Sequence, residues 1–225
     1  MENEFSIAVF EESFLDSLDG NLKDALLDIG EMTLDEVIDS GTLAPVPLLG
    51  LIIGVGKTAI NVHNRNLFNQ VLSFLRAFCS GEIDEDTLRE HRELLDNDPK
   101  RRERETGFVL TIINRNIQES RSEMQGNLYR AYLNKEFGWI EFVELSEVAA
   151  TCVISDLTLL RDVQRGVVEV SDRRNGYRVD RLAGLGLVQR SVKAMVSNGD
   201  LTWNDYFLSM SPFGEQFCAY ALNAG

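Results

Sequence analysis

Gly56-Lys57-Thr58 is the first place in this chain of 225 residues where residue types suggest chemistry. A glycine-lysine-threonine run closes the phosphate-binding loop, in which successive backbone N–H groups curl around a phosphate and the lysine reaches over it. That loop also needs a glycine five residues ahead of the second one, and the position is Leu51. Gly50 comes one residue too early and Gly54 three too late. A branched side chain then stands where the backbone must turn sharply. No later apolar strand ends in an aspartate to hold magnesium, since Phe108 to Ile113 runs into Asn114. A nucleotide-dependent enzyme is therefore the third-ranked reading, and no cofactor is expected.

Other chemistries have less to stand on. The chain has two histidines, His63 and His91, each in a polar helical context, and no serine or cysteine in a nucleophile motif. Both read as helix-surface residues. Cys79, Cys152 and Cys218 are far apart and lack CxxC or Cys-x-His spacing, so they read as buried thiols rather than zinc ligands. Glu82, Asp84, Glu85 and Asp86 lack the glycine and the terminal glutamate of a calcium loop, and instead enrich a helix start in negative charge. No catalytic residue and no metal site are expected.

Two surfaces remain. Arg173, Arg174, Arg178 and Arg181 lie in a locally basic stretch: residues 159–193 hold eight basic groups against four acids. On a helix over about 173–185, Arg174, Arg178 and Arg181 follow at steps of four and three and share a face. Such a face meets phosphates or guanine edges, or serves a protein contact. Asp172 and Asp180 on the same element oppose it, as does a net charge of −14.

The second surface is the apolar passage from Leu43 to Val62, with Leu49, Gly50, Ile52, Ile53, Gly54 and Lys57 as candidate interaction or membrane residues. Leu43 to Gly56 carries no charge over fourteen positions, whereas a spanning helix needs about 20. Snorkelling of Lys57 would extend the segment to Val62. Gly50 and Gly54 form a small-xxx-small pair that allows close helix approach. Burial is the leading reading, and conditional or peripheral membrane contact is the one worth testing.

The elements that position these residues are mostly helices. Residues 1–42 carry twelve acids against Lys23 alone, with Leu15, Leu18, Leu22, Leu26 and Ile29 at helical spacing over 13–39; Leu34, Val37 and Ile38 continue the set. Pro45 and Pro47 place the next helix start near Val46 to Leu48. A long apolar pattern then runs to Phe78 and stops at Ser80-Gly81. A charged helix follows over Asp84 to Asp96. The mixed-charge run Lys100 to Glu105 reads as a solvated face, opening a long helix through Ile113, Ile117, Met124, Leu128 and Tyr132 to about Lys135. Gly138-Trp139 breaks it. Helices are expected over 140–154, 156–164 and 177–185, then a strand over 187–196. Asn198-Gly199 marks a hairpin, a return strand covers 206–210, and a last helix opens at Ser211-Pro212. The N-terminal Met-Glu-Asn-Glu-Phe lacks the charge pattern of a secretory leader, so a cytoplasmic location is expected.

Residues 140–222 resemble a winged helix-turn-helix domain. The matching residues are Arg181-Leu182-Ala183-Gly184-Leu185-Gly186-Leu187-Val188 and, beyond the wing, Phe207-Leu208-Ser209-Met210-Ser211-Pro212-Phe213-Gly214. Met210-Ser211 stands where that family has leucine-threonine, and the wing is long. The whole chain also resembles helical bacterial proteins of the abortive-infection alpha family. Pro47-Leu48-Leu49-Gly50, Gly56-Lys57 and Asn64-Arg65-Asn66-Leu67-Phe68 carry that likeness. It implies a role in phage defence without an evident catalytic motif.

The expected fold class is mainly α, with an acidic helical arm (1–42), a helical domain with the apolar helix (43–138) and a winged-helix-like domain with a small β-hairpin (139–225). The expected function is a non-enzymatic interaction or effector protein with a protein partner or self-association and a conditional membrane contact. The alternative is a winged-helix regulator that binds DNA.

Overall fold

The computed structural model describes residues 7–18, 26, 46–54, 62–166, 176–197 and 200–222. These are mainly helical, with one two-stranded antiparallel hairpin near the C-terminus. Two compact units divide the chain, Met1–Ser146 and Glu147–Asn223.

In the first unit, α1 (Ile7–Asp16), α2 (Pro47–Gly54), α3 (Val62–Cys79), α4 (Glu85–Asn97), α5 (Pro99–Arg115), α6 (Glu119–Leu133) and α7 (Trp139–Thr151) follow in order, the unit boundary falling within α7. Helix α1 starts earlier than the 13–39 spacing predicts and stops after Asp16. Leu15, Leu18 and Leu26 are buried, while Leu22, Ile29, Leu34, Val37 and Ile38 lie outside the described residues. Helix α2 begins at Pro47, a residue suited to a first helical position because its missing N–H would be unpaired there anyway.

Helices α3 and α6 form the spine. They run parallel, since Gln70 meets Ser122 and the Ala77 carbonyl meets Arg130. Gly126 allows the close approach: a Cβ there would stand 2.2 Å from the Phe74 carbonyl oxygen. Helix α5 runs antiparallel to α3, as its C-terminal Asn116 carbonyl accepts from Asn66 Nδ2 near the start of α3 at 2.9 Å. Tyr129 sits at the centre, its ring 5.9 Å from those of Phe14, Phe74 and Phe78 and 5.5 Å from that of Phe142. Fully burying rings of this size stabilises by roughly 2–3 kcal/mol each.

The apolar spacing predicts one helix to about Lys135; the structure has two. Asn116 ends α5 in an extended conformation. Its buried Nδ2 donates to Ser122 Oγ at 2.9 Å and to Gln125 Oε1 at 2.7 Å. Ser122 in turn donates to Gln70 Oε1 at 2.7 Å. These bonds outweigh helix continuation, and Ile117, assigned by spacing to the apolar face, is 85% exposed.

The second unit holds the end of α7, α8 (Asp156–Gln164), α9 (Gly176–Gly184), β1 (Val188–Ser197), β2 (Asp200–Met210) and α10 (Pro212–Phe217), which continues as a π-helical turn over Cys218–Leu222. Ser197 pairs with Asp200 across Asn198-Gly199, a pair outside the described residues, and a bulge falls between Lys193 and Met195. The return strand, predicted from Tyr206, begins at Asp200. Ser211 caps α10 by accepting from Gly214 N at 2.8 Å, as the Ser-Pro signal predicts. Helix α8 packs on α9 and β2, and α9 on β1.

Candidate functional site

Helix α2 carries most of the candidate interaction segment. Leu48 and Leu49 are fully buried and Ile52 nearly so, while Gly50 and Ile53 are half-buried. Lys57 lies outside the described residues. Leu51, the position a phosphate loop would reserve for its first glycine, is helical. At eight residues the helix rises about 12 Å, and no helix among the described residues is long and apolar enough to cross a membrane.

Helix α1 holds α2 in place. The Ser17 hydroxyl, fully buried, accepts the backbone N–H of Leu48 at 3.0 Å and donates to the Ser13 carbonyl at 2.7 Å. Phe14, Leu15 and Leu18 bury the apolar face of this segment. Its acidic face is clipped to the helical unit: Asp16 pairs with Arg92 at 2.6 Å, and Glu12 pairs with both Arg92 and Arg102.

An apolar cleft of about 500 Å³ opens between α1, α2, α3 and α5. Phe10, Leu48, Ile52, Leu67, Val71 and Leu110 form its walls. Because α3 and α5 are antiparallel, the first turn of α3 and the last turn of α5 bring His63, Thr111, Asn114 and Arg115 to one end. All four are exposed, while the apolar walls are buried or half-buried. Gly107 lines the cleft toward the other end, and a Cβ there would meet nothing within 4 Å.

On another face of α5, Glu105 is buried at 1% exposure, although the run from Lys100 predicts a solvated face. It accepts hydrogen bonds from the Tyr129 hydroxyl at 2.9 Å and the Tyr132 hydroxyl at 3.1 Å. His91 Nε2 lies 2.6 Å from Glu105 Oε1, so this histidine is half-buried rather than on the helix surface. Burial, then the neighbouring Glu105 charge, pushes the Tyr129 phenol well above its usual value and that of Tyr132 up to about 12. Both stay protonated as donors. Sequence spacing held a signal for this group, because Glu105 opens the stripe Glu105, Val109, Ile112 and Ile113, otherwise apolar and all buried.

In the second unit Asp156, 1% exposed, gathers two of the candidate arginines. Arg178 Nε donates to it at 2.9 Å and Arg181 Nε at 2.7 Å. The Arg181 guanidinium also lies 4.9 Å from the centre of the Tyr177 ring. Burial raises the Asp156 pKa, but the bonds from Arg181 and Arg178 outweigh it and hold the carboxyl below its usual value. Arg173 and Arg174 lie outside the described residues.

No family model, no curated protein and no solved structure matches the chain.

Among the described residues no group of three or more His, Cys, Asp or Glu side chains is arranged to hold a metal. Cys152 and Cys218 are buried and Cys79 is half-buried; burial pushes the Cys218 thiol up to about 11. The cleft and the Glu105 cluster were not singled out by sequence motifs, because each is assembled from side chains on separate helices.

Proposed function

We propose that this chain is a non-catalytic interaction protein, an effector that presents its apolar helix α2 to a protein partner or a membrane when α1 releases it. The observation that supports this reading is the seat of α1: one buried hydroxyl caps α2, while the outer contacts of α1 are ion pairs at Arg92 and Arg102. Partly exposed ion pairs of this kind contribute little and weaken with salt, so they are the part of the seat that charge reversal loosens, while burial of Phe14, Leu15 and Leu18 sets the main cost of release. The likeness to abortive-infection alpha proteins supports phage defence in the cytoplasm of a bacterium as the setting.

The test is the double variant Arg92→Glu, Arg102→Glu, which repels the acidic face of α1. Flotation with vesicles of phosphatidylethanolamine and phosphatidylglycerol, cross-linking for self-association, and plaque counts on cells expressing the chain are compared with the unaltered protein. A gain in at least one supports release. If all three readings stay unchanged while α1 is cut faster by protease, the effector reading falls.

The runner-up is a winged-helix DNA-binding regulator, supported by the order of three helices, hairpin and closing helix. It ranks second because Arg178 and Arg181 already serve Asp156, which offsets the charge a duplex would need. Salt-sensitive duplex binding weakened by Arg190→Glu, a substitution away from Asp156, would restore it to first place.

A further inference from the structure

We propose that the cleft between α1, α2, α3 and α5 binds a single-chain anionic amphiphile, a fatty carboxylate of medium length, with its chain along the apolar walls and its head at Arg115. The inference does not rest on the effector reading; it needs only α1 seated on α2, since Phe10, Leu48 and Ile52 are three of the walls.

Three observations converge on this ligand class. The cleft is the size of a small-molecule site: its volume of about 500 Å³ holds on the order of 15 non-hydrogen atoms at ~30 Å³ each. It is long and one-sided, because His63, Leu67 and Val71 descend α3 at steps of four while Gly107, Leu110 and Asn114 follow α5 in the opposite direction. Among the described lining residues the polar side chains are confined to one end, so a ligand must be apolar along its length and polar at a single terminus.

The charge at that end decides the head group. Among the described lining residues none is acidic, in a chain with 36 acidic residues against 22 basic ones. Arg115 is exposed and brings a forked donor suited to a carboxylate, and one guanidinium balances one carboxylate charge. Thr111, Asn114 and His63 supply further hydrogen-bonding groups beside it. A neutral chain would leave the guanidinium uncompensated by the ligand, and a cationic head would be repelled by it.

The test uses the full chain and three probes of equal chain length below their micelle concentrations: dodecanoate, dodecanol and dodecyltrimethylammonium. Calorimetric titration should give one dodecanoate per chain, bound at least about tenfold more tightly than the cationic probe. Gly107→Leu, which projects a side chain into open cleft space, should remove binding of dodecanoate and dodecanol alike. Arg115→Glu, at an exposed position, should weaken dodecanoate about tenfold and leave dodecanol unchanged. If Gly107→Leu does not fold, the head-group comparison and Arg115→Glu decide alone. Equal affinity for the three probes, no saturable dodecanoate binding, or indifference to Arg115→Glu overturns the proposal. So does saturable binding of an apolar helical peptide without binding of dodecanoate, which would give the cleft to a protein segment.

Discussion

The side-chain oxygen of Ser17 accepts the backbone N–H of Leu48 at 3.0 Å, across thirty-one residues of chain. One of the N–H groups that a helix start leaves unpaired is thus satisfied from the turn that ends α1, with both partners buried. Ser17→Ala strands that donor and should lower stability by about 1–3 kcal/mol. Urea unfolding checks the loss, and Ser17→Thr, which keeps the hydroxyl, should recover part of it. An alanine variant as stable as the original would mean that the bond contributes nothing.

Glu105 is the acceptor for two tyrosine hydroxyls in the aromatic core. Glu105→Ala leaves Tyr129 and Tyr132 without it and opens space beside them, which should cost about 3 kcal/mol or more. Glu105→Gln keeps an acceptor oxygen and should cost less. Equal losses for the two substitutions would point to the carboxylate charge, since glutamine keeps both the volume and an acceptor oxygen.

The same tyrosines set an alkaline limit. Their folded pKa values are raised, so the stabilisation is fully present below the unfolded value of about 10. It is lost as pH climbs from there through the folded value, because the unfolded chain gives up its phenol protons first. Stability measured in urea should therefore fall between about pH 10 and 12. The double variant Tyr129→Phe, Tyr132→Phe should fall less steeply over that window; matching slopes would remove these two groups as the cause.

Asp156 works in the opposite direction. Its folded pKa is depressed, so its contribution is present above the unfolded value of about 3.9 and fades as pH drops through and below it. Asp156→Asn should lower the stability of the second unit by about 2 kcal/mol at neutral pH. The gap between variant and original should close in acid. Hydrogen exchange of α8 and α9 amides follows it, and a gap that does not narrow at all as pH falls from about 5 to about 2 would argue against the carboxylate charge.

Gly126→Ala should be among the most damaging single changes. The new Cβ would lie 2.2 Å from the Phe74 carbonyl oxygen and 3.1 Å from Ala77 Cβ, so α3 and α6 must separate. Overpacking of this kind typically costs about 1–3 kcal/mol, and a thermal melt reads it. A melting temperature equal to that of the original would show that the spine has slack.

The sequence alone settled the helices and their ends where local chemistry decides them. Pro47 opens α2, Asp84 caps α4, Ser211 caps α10, and Gly186 follows α9 with a positive φ of 74°. Each of these rests on a residue acting on its own turn, and so it shows in one dimension. The equivalent position after α6 is Lys135, with φ 63°, and no residue type announces it: backbone bonds from the Lys135 N–H to the Tyr132 carbonyl at 3.0 Å and from the Glu136 N–H to the Ala131 carbonyl at 3.1 Å close the turn around it. Tertiary structure also decided that Asn116 divides a continuous apolar pattern into α5 and α6, because its partners Ser122 and Gln125 come within reach only once the chain has turned. The Glu105 cluster, the Asp156 pairings and the cleft from Phe10 to Arg115 belong to the same class. Their energies come from desolvating groups that sequence keeps apart, and a charged residue looks solvated until the fold has buried it.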